Sequence, residues 1–320
     1  MMPPKLIIKA AILVLALSFT LCVPISQSQQ KTADVSQLML LHVRVTDPGD
    51  RAVLDVPESN FQITEDGIPQ KISLFINSEV PLSYGLVIDS SGSLHSQFKD
   101  VMHAAEMIVE SNKPKDETFL VRFISSSKVE VLQEPTSDKA VLRKALDENY
   151  IEGGSSAVVD AIFLSAQKAA QMKTYGEVRR HILILVTDGE DRASYYDQKQ
   201  LFQLLPAIDV QIFTIALTKE LKSDVRDKAV KFLTRLGAET GGKTYFPASP
   251  ADIERIANEI INDIRTQYVI GYESSGGDPK KDFHKVQVTI GDNASQEKRV
   301  AITRVGYRVR KNSDPNRKGE

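Results

Sequence analysis

Apolar and polar residues are spaced differently in three successive parts of the chain. Before residue 82 and after residue 266, short runs of β-forming residues are separated by turns, which is the pattern of antiparallel strands. Asp66-Gly67 lies between two of these runs, 61–65 and 72–76, and indicates a hairpin. The predicted outer strands span 38–46, 61–65, 72–76, 268–272, 285–290, 299–303 and 307–309.

The middle part of the chain predicts a mostly parallel sheet, because strands that alternate with amphipathic helices pair in parallel and are covered on both faces. Residues 181–186 form its most apolar run and are expected to lie at its centre. Its predicted strands span 85–88, 118–124, 129–132, 181–186, 210–216 and 244–246. Its predicted helices span 98–110, 138–148, 158–172, 197–205, 224–236 and 250–265.

Neither outer part contains enough strands to bury a core alone. We therefore predict that residues 38–80 and 267–310 pair into one small β-sandwich-like domain, with an α/β domain inserted between them at 81–266. The predicted fold class is α/β, with a doubly wound, mostly parallel, Rossmann-like sheet flanked by helices. The charged tail, 311–320, is expected to be disordered.

The first 28 residues have the layout of a signal peptide. Lys5 and Lys9 precede an apolar run of about 14 residues, which is shorter than the roughly 20 residues that a membrane-spanning helix needs. Small residues precede an expected cut after Ser28, and 29–37 form a polar linker. The chain is therefore expected to be exported, to the periplasm or outside the cell. An uncleaved membrane anchor is the alternative, and it is the only membrane association that we expect.

Composition narrows the chemistry that the chain can carry. The 320 residues include 40 Lys+Arg and 42 Asp+Glu, so the net charge of -2 provides no general attraction for nucleic acid or anionic lipid. Cys22 is the only cysteine and lies within the predicted signal peptide. A mature chain without cysteine has neither disulfides nor thiolate metal ligands, which leaves an oxygen-ligand metal site most open.

The segment GAETGGKT, residues 237–244, matches the phosphate-binding pattern G-x-x-x-x-G-K-[ST] at every fixed position. A P-loop follows a strand and opens a helix, whose free N–H groups hold the phosphates. Here the predicted order is reversed, because the segment follows a helix and precedes a strand. Gly237 is expected to end that helix in the left-handed conformation. We therefore expect no nucleotide binding.

Acids and hydroxyls follow two predicted strands at the same edge of the sheet. Asp89-Ser90-Ser91-Gly92-Ser93 follows 85–88, and Thr187-Asp188-Gly189 follows 181–186, while the loop 153–157 adds further hydroxyls. Ligands of open α/β sheets bind at this carboxyl edge. Two acids about 6 Å apart repel by about 3 kcal/mol at an effective dielectric near 20, and a cation would remove that repulsion. Hard oxygen ligands favour Mg²⁺, Ca²⁺ or Mn²⁺ over zinc or copper.

Several readings of these residues remain open. One alternative is that Asp89 and Ser93 cap a helix and that Asp188-Gly189 forms a simple turn. Glu190 and Asp191 could add charge near a metal or belong to a solvated loop. The histidines are scattered without metal-ligand spacing, although His95 lies close to Ser93 in sequence.

Together, the order of strands and helices, D-x-S-x-S from Asp89, the glycine and serine loop, and T-D-G from Thr187 resemble a von Willebrand factor type A (VWA) domain over about 81–265. Outside that range, V-T-D, N-F-Q-I-T-E-D-G-I-P-Q-K-I, Q-Y-V-I-G-Y and V-G-Y-R-V resemble exported bacterial VWFA-related proteins. VWA domains carry a metal-ion-dependent adhesion site, or MIDAS. The resemblance therefore implies a metal centre at the carboxyl edge.

The resemblance implies a role for each residue of that centre. Ser91 and Ser93 would bind Mg²⁺, Ca²⁺ or Mn²⁺ directly, Asp89 and Asp188 would act mainly through bound waters, and Ser156 would take the position usually held by threonine. Ser155, which lies beside it, could substitute for Ser156.

The function that the resemblance implies is metal-dependent adhesion. An Asp or Glu of a partner protein would complete the metal shell, so the chain is expected to be an exported interaction module and not an enzyme. The alternatives are a structural envelope component stabilised by its metal, and a metal-dependent hydrolase that activates water.

Overall fold

The computed structural model describes residues 38–172, 177–275, 281–291 and 298–309. The predicted signal peptide, the linker 29–37 and the tail 311–320 lie outside these ranges. No helix within the described ranges is both long and apolar enough to cross a bilayer.

The observed strands and helices agree with the predicted ones to within a few residues at most ends. The strands are β1 (Met39–Thr46), β2 (Phe61–Glu65), β3 (Ile68–Gln70), β4 (Ile72–Ile76), β5 (Leu82–Asp89), β6 (Glu117–Ser125), β7 (Lys128–Thr136), β8 (Arg180–Thr187), β9 (Gln211–Ala216), β10 (Lys243–Tyr245), β11 (Tyr268–Tyr272), β12 (Phe283–Ile290), β13 (Val300–Ile302) and β14 (Gly306–Arg308). The helices are α1 (Phe98–Glu110), α2 (Lys139–Asp147), α3 (Val158–Gln171), α4 (Gln198–Leu204), α5 (Ser223–Thr240) and α6 (Ala251–Arg265).

The central sheet has the strand order β10-β9-β8-β5-β6-β7, and β7 is its antiparallel edge strand. Apolar residues of α1, α2 and α6 cover one face, while those of α3, α4 and α5 cover the other. Every residue of β5 and β8 is buried, because both strands lie in the middle of the sheet. The predicted doubly wound α/β fold is therefore confirmed.

The outer strands form two four-stranded antiparallel sheets, with the orders β13-β1-β11-β4 and β14-β12-β2-β3. Each sheet combines strands from before and after the α/β domain, as in the pairing of Leu41 with Ile270. Their apolar residues share one core, which includes Val43, Ile63 and Val288. The two flanks of the chain thus complete one β-sandwich.

The predicted pairing of 61–65 with 72–76 is wrong. After the turn at Asp66-Gly67, β2 pairs with β3, whereas β4 joins the opposite sheet beside β11. Phe75 of β4 lies 5.3 Å, between ring centroids, from Phe61 of β2 in the core between the sheets. Because the two strands lie in facing sheets, these side chains meet across the sandwich.

Gly237 does not end its helix, contrary to the prediction. Helix α5 continues to Thr240, and the left-handed cap is Gly241, with a φ of 75°. The last turn is retained because Thr240 Oγ1 accepts the Ile212 N–H at 3.1 Å, which fixes that turn against β9. The order remains helix, glycines, strand, which is the reverse of a P-loop.

The glycines of this segment lie where the α/β domain meets the sandwich. A Cβ on Gly241 would come within 2.6 Å of Arg304 N, and one on Gly242 within 1.9 Å of a carbonyl oxygen of β9, so neither position has room for a side chain. Lys243 Nζ donates to Asp50, in the turn after β1, at 2.5 Å. The segment that matches the phosphate-binding pattern therefore lies at the junction between the two domains.

Candidate metal centre

The carboxyl ends of β5 and β8 place two acidic segments side by side. Ile88 pairs with Val186, so Asp89 and Thr187 end neighbouring parallel strands. The apolar residues of these strands are buried by helices on both faces, which leaves the strand ends as the points where polar side chains can collect. Asp89 itself is fully buried.

The Asp89 carboxylate connects all three segments of the predicted centre. Its Oδ1 accepts the Ser91 N–H at 3.0 Å, and its Oδ2 accepts the hydroxyls of Thr187 at 2.8 Å and Ser156 at 3.1 Å. These bonds fix the orientation of the carboxylate. Neither Asp89 nor Asp188 is ion-paired to lysine or arginine among the described residues.

The remaining predicted residues complete the cluster. Ser91 Oγ and Ser93 Oγ lie 3.1 Å apart, and the Ser93 hydroxyl is near enough to Asp188 to oppose the rise in the pKa of that carboxyl. Asp188 Oδ1 also accepts the Glu190 N–H at 2.9 Å. The structure therefore brings together Asp89, Ser91, Ser93, Ser156 and Asp188.

A cavity of about 320 Å³ opens on this cluster. Three serines, Asp188, Glu190 and Arg192 contribute the polar side chains of its wall. Arg192 donates to Glu190, and its positive charge also favours the ionised form of Asp188. The lining residues are Ser91, Gly92, Ser93, Gly154, Ser156, Asp188, Glu190 and Arg192.

The two carboxyl groups are held where negative charge is unfavourable. Burial, with a smaller contribution from the charge of Asp188, raises the pKa of Asp89 to about 6. Burial likewise raises the pKa of Asp188, against the opposing effect of its bond from Ser93. A cation near both groups would favour their ionised forms.

The donor set fits a hard divalent cation. Within the described ranges, no group of three or more His, Cys, Asp or Glu side chains could hold a metal, so a metal in this cavity depends on hydroxyl ligands. Serine hydroxyls and carboxylates are the oxygen ligands that Mg²⁺, Ca²⁺ and Mn²⁺ accept. The Ser156 hydroxyl can donate its proton to Asp89 and still offer a lone pair to a cation.

Sequence comparison assigns the family of this chain. The family model for the von Willebrand factor type A domain matches residues 85–286. The chain belongs to the VWA family. Its predicted membership is thus confirmed, whereas none of the curated proteins matches the sequence.

Several solved structures are similar to this chain. A von Willebrand factor type A protein from Catenulispora acidiphila has 12% identity and a TM-score of 0.47, covering 83% of this chain and 74% of that one. An aerotolerance-related membrane protein from Bacteroides fragilis has 16% identity and a TM-score of 0.42, covering 57% and 98%. Proximal thread matrix protein 1 of the mussel byssus, with a zinc-occupied MIDAS motif, has 14% identity and a TM-score of 0.46. That match covers 62% of this chain but only 48% of the mussel protein.

Sequence reasoning missed two residues of this VWA centre. The Thr187 hydroxyl donates to Asp89, although the T-D-G pattern indicates only Asp188 as a site residue. Arg192 lines the cavity, and no motif indicates it. Arg192 N donates to the Ser156 carbonyl at 2.8 Å, which fixes the loop after β8 against the start of α3.

The structure gives the positions of the side chains whose roles the sequence leaves open. Asp191 accepts the Val159 N–H at 3.2 Å and so caps α3, while Glu190 lines the cavity. His95 is exposed and does not line the cavity. Ser155 is exposed, whereas Ser156 is buried and bonded to Asp89.

Proposed function

We propose that this VWA protein is an exported protein-binding module that uses a divalent cation, Mg²⁺ or else Ca²⁺ or Mn²⁺, to capture an acidic residue of a partner. One observation carries the proposal. Two buried carboxylates, which form no ion pair within the described part of the chain, meet three serine hydroxyls beside a cavity that is open to solvent. Membership of the VWA family supports the same function.

The serines and the acids of this centre would hold the cation in different ways. Ser91, Ser93 and Ser156 would supply neutral oxygens, while Asp89 and Asp188 would act mainly through water and supply negative charge. Thr187 would hold Asp89 in place through its 2.8 Å bond. When bound, the cation offers a positive centre that a partner carboxylate can coordinate. Because the direct ligands are neutral, little of the cation's charge is cancelled before that carboxylate arrives.

We propose binding and not catalysis at this centre. A hydrolase would need a general base next to the activated water. Glu190 is the cavity carboxylate outside the proposed metal set, and it already accepts a hydrogen bond from Arg192. Hydrolysis of model esters or phosphate esters that requires Mg²⁺ and disappears with Glu190→Gln would contradict this part of the proposal.

The metal test uses a matched pair of serines. Ser91 and Ser93 have hydroxyls 3.1 Å apart beside two acids, whereas Ser125 and Ser127 have hydroxyls 3.2 Å apart in an exposed turn. Mg²⁺ at a hundred times its Kd should stabilise the wild type by about 2.7 kcal/mol, measured by thermal unfolding. Ser91→Ala with Ser93→Ala should abolish the shift, and Ser125→Ala with Ser127→Ala should retain it. Equal shifts in both double variants would disprove the metal centre.

Export and capture are tested in the native cell. Fractionation with N-terminal sequencing should find the chain outside the cytoplasm, cleaved after Ser28, whereas a membrane fraction with the intact N-terminus would indicate the anchored alternative. Crosslinking in the cell envelope should retain a partner with Mg²⁺, but not with EDTA or in Asp89→Ala. Stabilisation by Mg²⁺ without any retained partner would favour the structural component.

A further inference from the structure

We propose that Arg180 and Arg265 are alternative partners of the buried Asp116 carboxylate, and that exchange between them releases the two segments, 77–81 and 266–267, that connect the α/β domain to the sandwich. In the locked arrangement, which the structure shows, Arg265 binds Asp116. In the unlocked arrangement, Arg180 binds Asp116 and Arg265 is free. The inference concerns the amino edge of the central sheet, so it does not depend on the metal centre.

Arg180, the first residue of β8, has a buried guanidinium without a partner. The residue is 0% exposed, and none of its three side-chain nitrogens has a hydrogen-bond partner among the described residues. Burial, and then repulsion from the charge of Arg265, lowers the pKa of Arg180 to about 10, so the group is still charged at neutral pH. A buried charge without an acceptor is costly, because it loses its hydration and gains no hydrogen bond in return. An arrangement that gives Arg180 an acid would remove this cost.

Asp116 and Arg180 are hydrogen-bonded to the same peptide group. The carbonyl between Pro81 and Leu82 accepts the Arg180 N–H at 3.1 Å, and the N–H of that peptide donates to Asp116 Oδ1 at 2.9 Å. The Asp116 carboxylate is therefore within about 10 Å of the Arg180 backbone. A long arginine side chain can span this distance, so Asp116 is an acid that Arg180 can reach.

Arg180 and Arg265 lie on the same face of the central sheet. Alternate residues of a strand share a face, so Arg180 lies on the face of Ile182 and Ile184, which α6 covers. Arg265 is the last residue of α6. The charges of Arg265 and Asp116 both act on Arg180, and they shift its pKa in opposite directions. Arg180 is therefore placed to compete with Arg265 for this acid.

In the locked arrangement, Arg265 fastens both connecting segments to the α/β domain. Its Nη2 donates to Asp116 Oδ2 at 2.6 Å and to the Ser111 carbonyl at 3.1 Å, while its Nη1 donates to Glu79 Oε1 at 3.0 Å. Glu79 belongs to the segment that leaves the sandwich, and Arg265 directly precedes the segment that returns to it. Loss of these bonds would therefore free the two segments together.

Exchange would leave neither acid without a cation. Lys113 also donates to Glu79, so that acid retains a partner when Arg265 leaves. Arg265 is 12% exposed and can turn to solvent, whereas Asp116 is 1% exposed and needs a cation in both arrangements. The locked arrangement gains the bonds of Arg265, and the unlocked one gains an acceptor for Arg180. Because these gains oppose each other, the two arrangements can both be populated.

The test is a double-mutant cycle measured by urea unfolding of the full chain. Arg265→Gln should raise the unfolding equilibrium constant less than about tenfold in the wild-type background, because Arg180 takes over Asp116, but at least about a hundredfold in Arg180→Met. Arg180→Met by itself should not destabilise the protein, because it removes an unpaired buried charge. The control is Arg122→Met, which removes a mostly buried arginine that pairs with Glu130. Its effect should simply add to that of Arg265→Gln.

Two further measurements read out the exchange directly. A crystal structure of Arg265→Gln should show the Arg180 guanidinium bonded to Asp116. Amide hydrogen exchange in 77–81 and 266–267 should be faster in Arg265→Gln than in the wild type, and no faster in Arg180→Met. Additive effects of Arg180→Met and Arg265→Gln, or failure of Arg265→Gln to fold, would overturn the proposal. A large loss of stability in Arg180→Met alone would also overturn it, because Arg180 would then have a partner in the locked arrangement.

Discussion

At the residue scale, the two neighbouring serines of the glycine loop have different environments. Ser156 is buried and donates to Asp89 at 3.1 Å, whereas Ser155 is exposed. In VWA domains, threonine usually occupies the position of Ser156. Serine offers the same oxygen but lacks the methyl group that restricts the side-chain rotamer. The position of the hydroxyl here depends on its bond to Asp89.

This difference predicts unequal effects of removing the two hydroxyls. Ser156→Ala should weaken Mg²⁺ binding at least tenfold, because it removes both a proposed ligand and a bond that orients Asp89. Ser155→Ala should change the Kd less than about twofold, and Ser156→Thr should lower it. Isothermal titration calorimetry measures all three values. A larger loss for Ser155→Ala than for Ser156→Ala would reverse the assignment.

The raised pKa of Asp89 predicts that the free energy of unfolding of the metal-free protein depends on pH. Its pKa is raised to about 6 in the folded chain, so between about pH 4 and 6 the folded state binds more protons than the unfolded state. The free energy of unfolding should therefore fall as the pH rises through this range, by about 2 kcal/mol from this group. Urea unfolding in EDTA at pH 4.5 and pH 7 measures the change.

The comparison for this prediction is Asp89→Asn. That variant lacks the titrating group, so its stability relative to wild type should improve between pH 4.5 and pH 7. An identical pH dependence in the two proteins would show that burial of the Asp89 charge does not destabilise the fold.

At the scale of elements, the loop after β8 supplies the cap that α3 does not make for itself. Ala157 precedes α3 and has no side-chain cap, while Asp191 accepts the Val159 N–H and Ser194 accepts the Asp160 N–H. Asp160 in turn accepts two N–H groups of the loop. The loop and the helix terminus thus satisfy each other's backbone donors.

Asp160→Asn should break this reciprocal arrangement. The amide retains one acceptor oxygen for two N–H groups, so one N–H group loses its hydrogen bond to a charged partner, at a cost of about 2 kcal/mol. The control is Asp224→Asn, which alters an exposed acid in the first turn of α5. Urea unfolding should show the loss only in the first variant, with faster hydrogen exchange at Tyr195 and Tyr196. Unchanged hydrogen exchange at Tyr195 and Tyr196 would contradict these reciprocal hydrogen bonds.

The elements also show what the sequence could predict. Periodicity located the helices and the central strands because those signals are local, and the strand ends then brought Asp89 and Asp188 to one edge. The partner of β4 is β11, about two hundred residues away, so no local pattern identified it. Gly237 looked like a helix end because the contact of Thr240 with β9 is also distant. The roles of Thr187 and Arg192 have the same origin, since they depend on contacts with Asp89 and Ser156, which are distant in sequence.

Substitution of Gly241 tests how closely the segment 237–244 packs against the sandwich. Gly241→Ala places a Cβ 2.6 Å from Arg304 N at a φ of 75°, and so combines a backbone clash with a strained conformation. A loss of at least about 2 kcal/mol in urea unfolding is expected. Gly153→Ala is the control, because a Cβ there meets nothing within 4 Å and its φ is not in the left-handed region. Similar stabilities of the two variants would disprove the close junction.

At the scale of the whole molecule, polar contacts join the α/β domain to the sandwich. Asp209, just before β9, lies 3.4 Å from His42 Nε2 and 3.3 Å from Arg304 NH1. Burial alone would raise the pKa of Asp209, but the charges of Arg304 and His42 outweigh it and hold the pKa below its usual range. The acid is 29% exposed, so solvent screens part of this attraction.

Asp209→Asn should therefore destabilise the protein by about 1–2 kcal/mol at pH 7. Because the pKa is lowered on folding, the stabilisation is present above about pH 4 and is lost progressively as the pH falls further. The difference between wild type and variant in urea unfolding should thus shrink at pH 3. Asp55→Asn, which removes an exposed partner of Arg299, should cost less than about 0.5 kcal/mol. Equal losses in both variants would contradict a special role for the junction.

The pairing of Ile76 with Val269 has a consequence for engineering. The chain leaves the sandwich after one of these residues and re-enters just before the other, although the whole α/β domain intervenes. A two-residue turn joining β4 to β11 would close the gap and leave the sandwich as a shortened protein. In the other direction, the α/β domain has its two ends side by side, and its cavity lies at the opposite, carboxyl edge of the sheet. Insertion into a surface hairpin of an unrelated scaffold would therefore leave that cavity facing away from the insertion point.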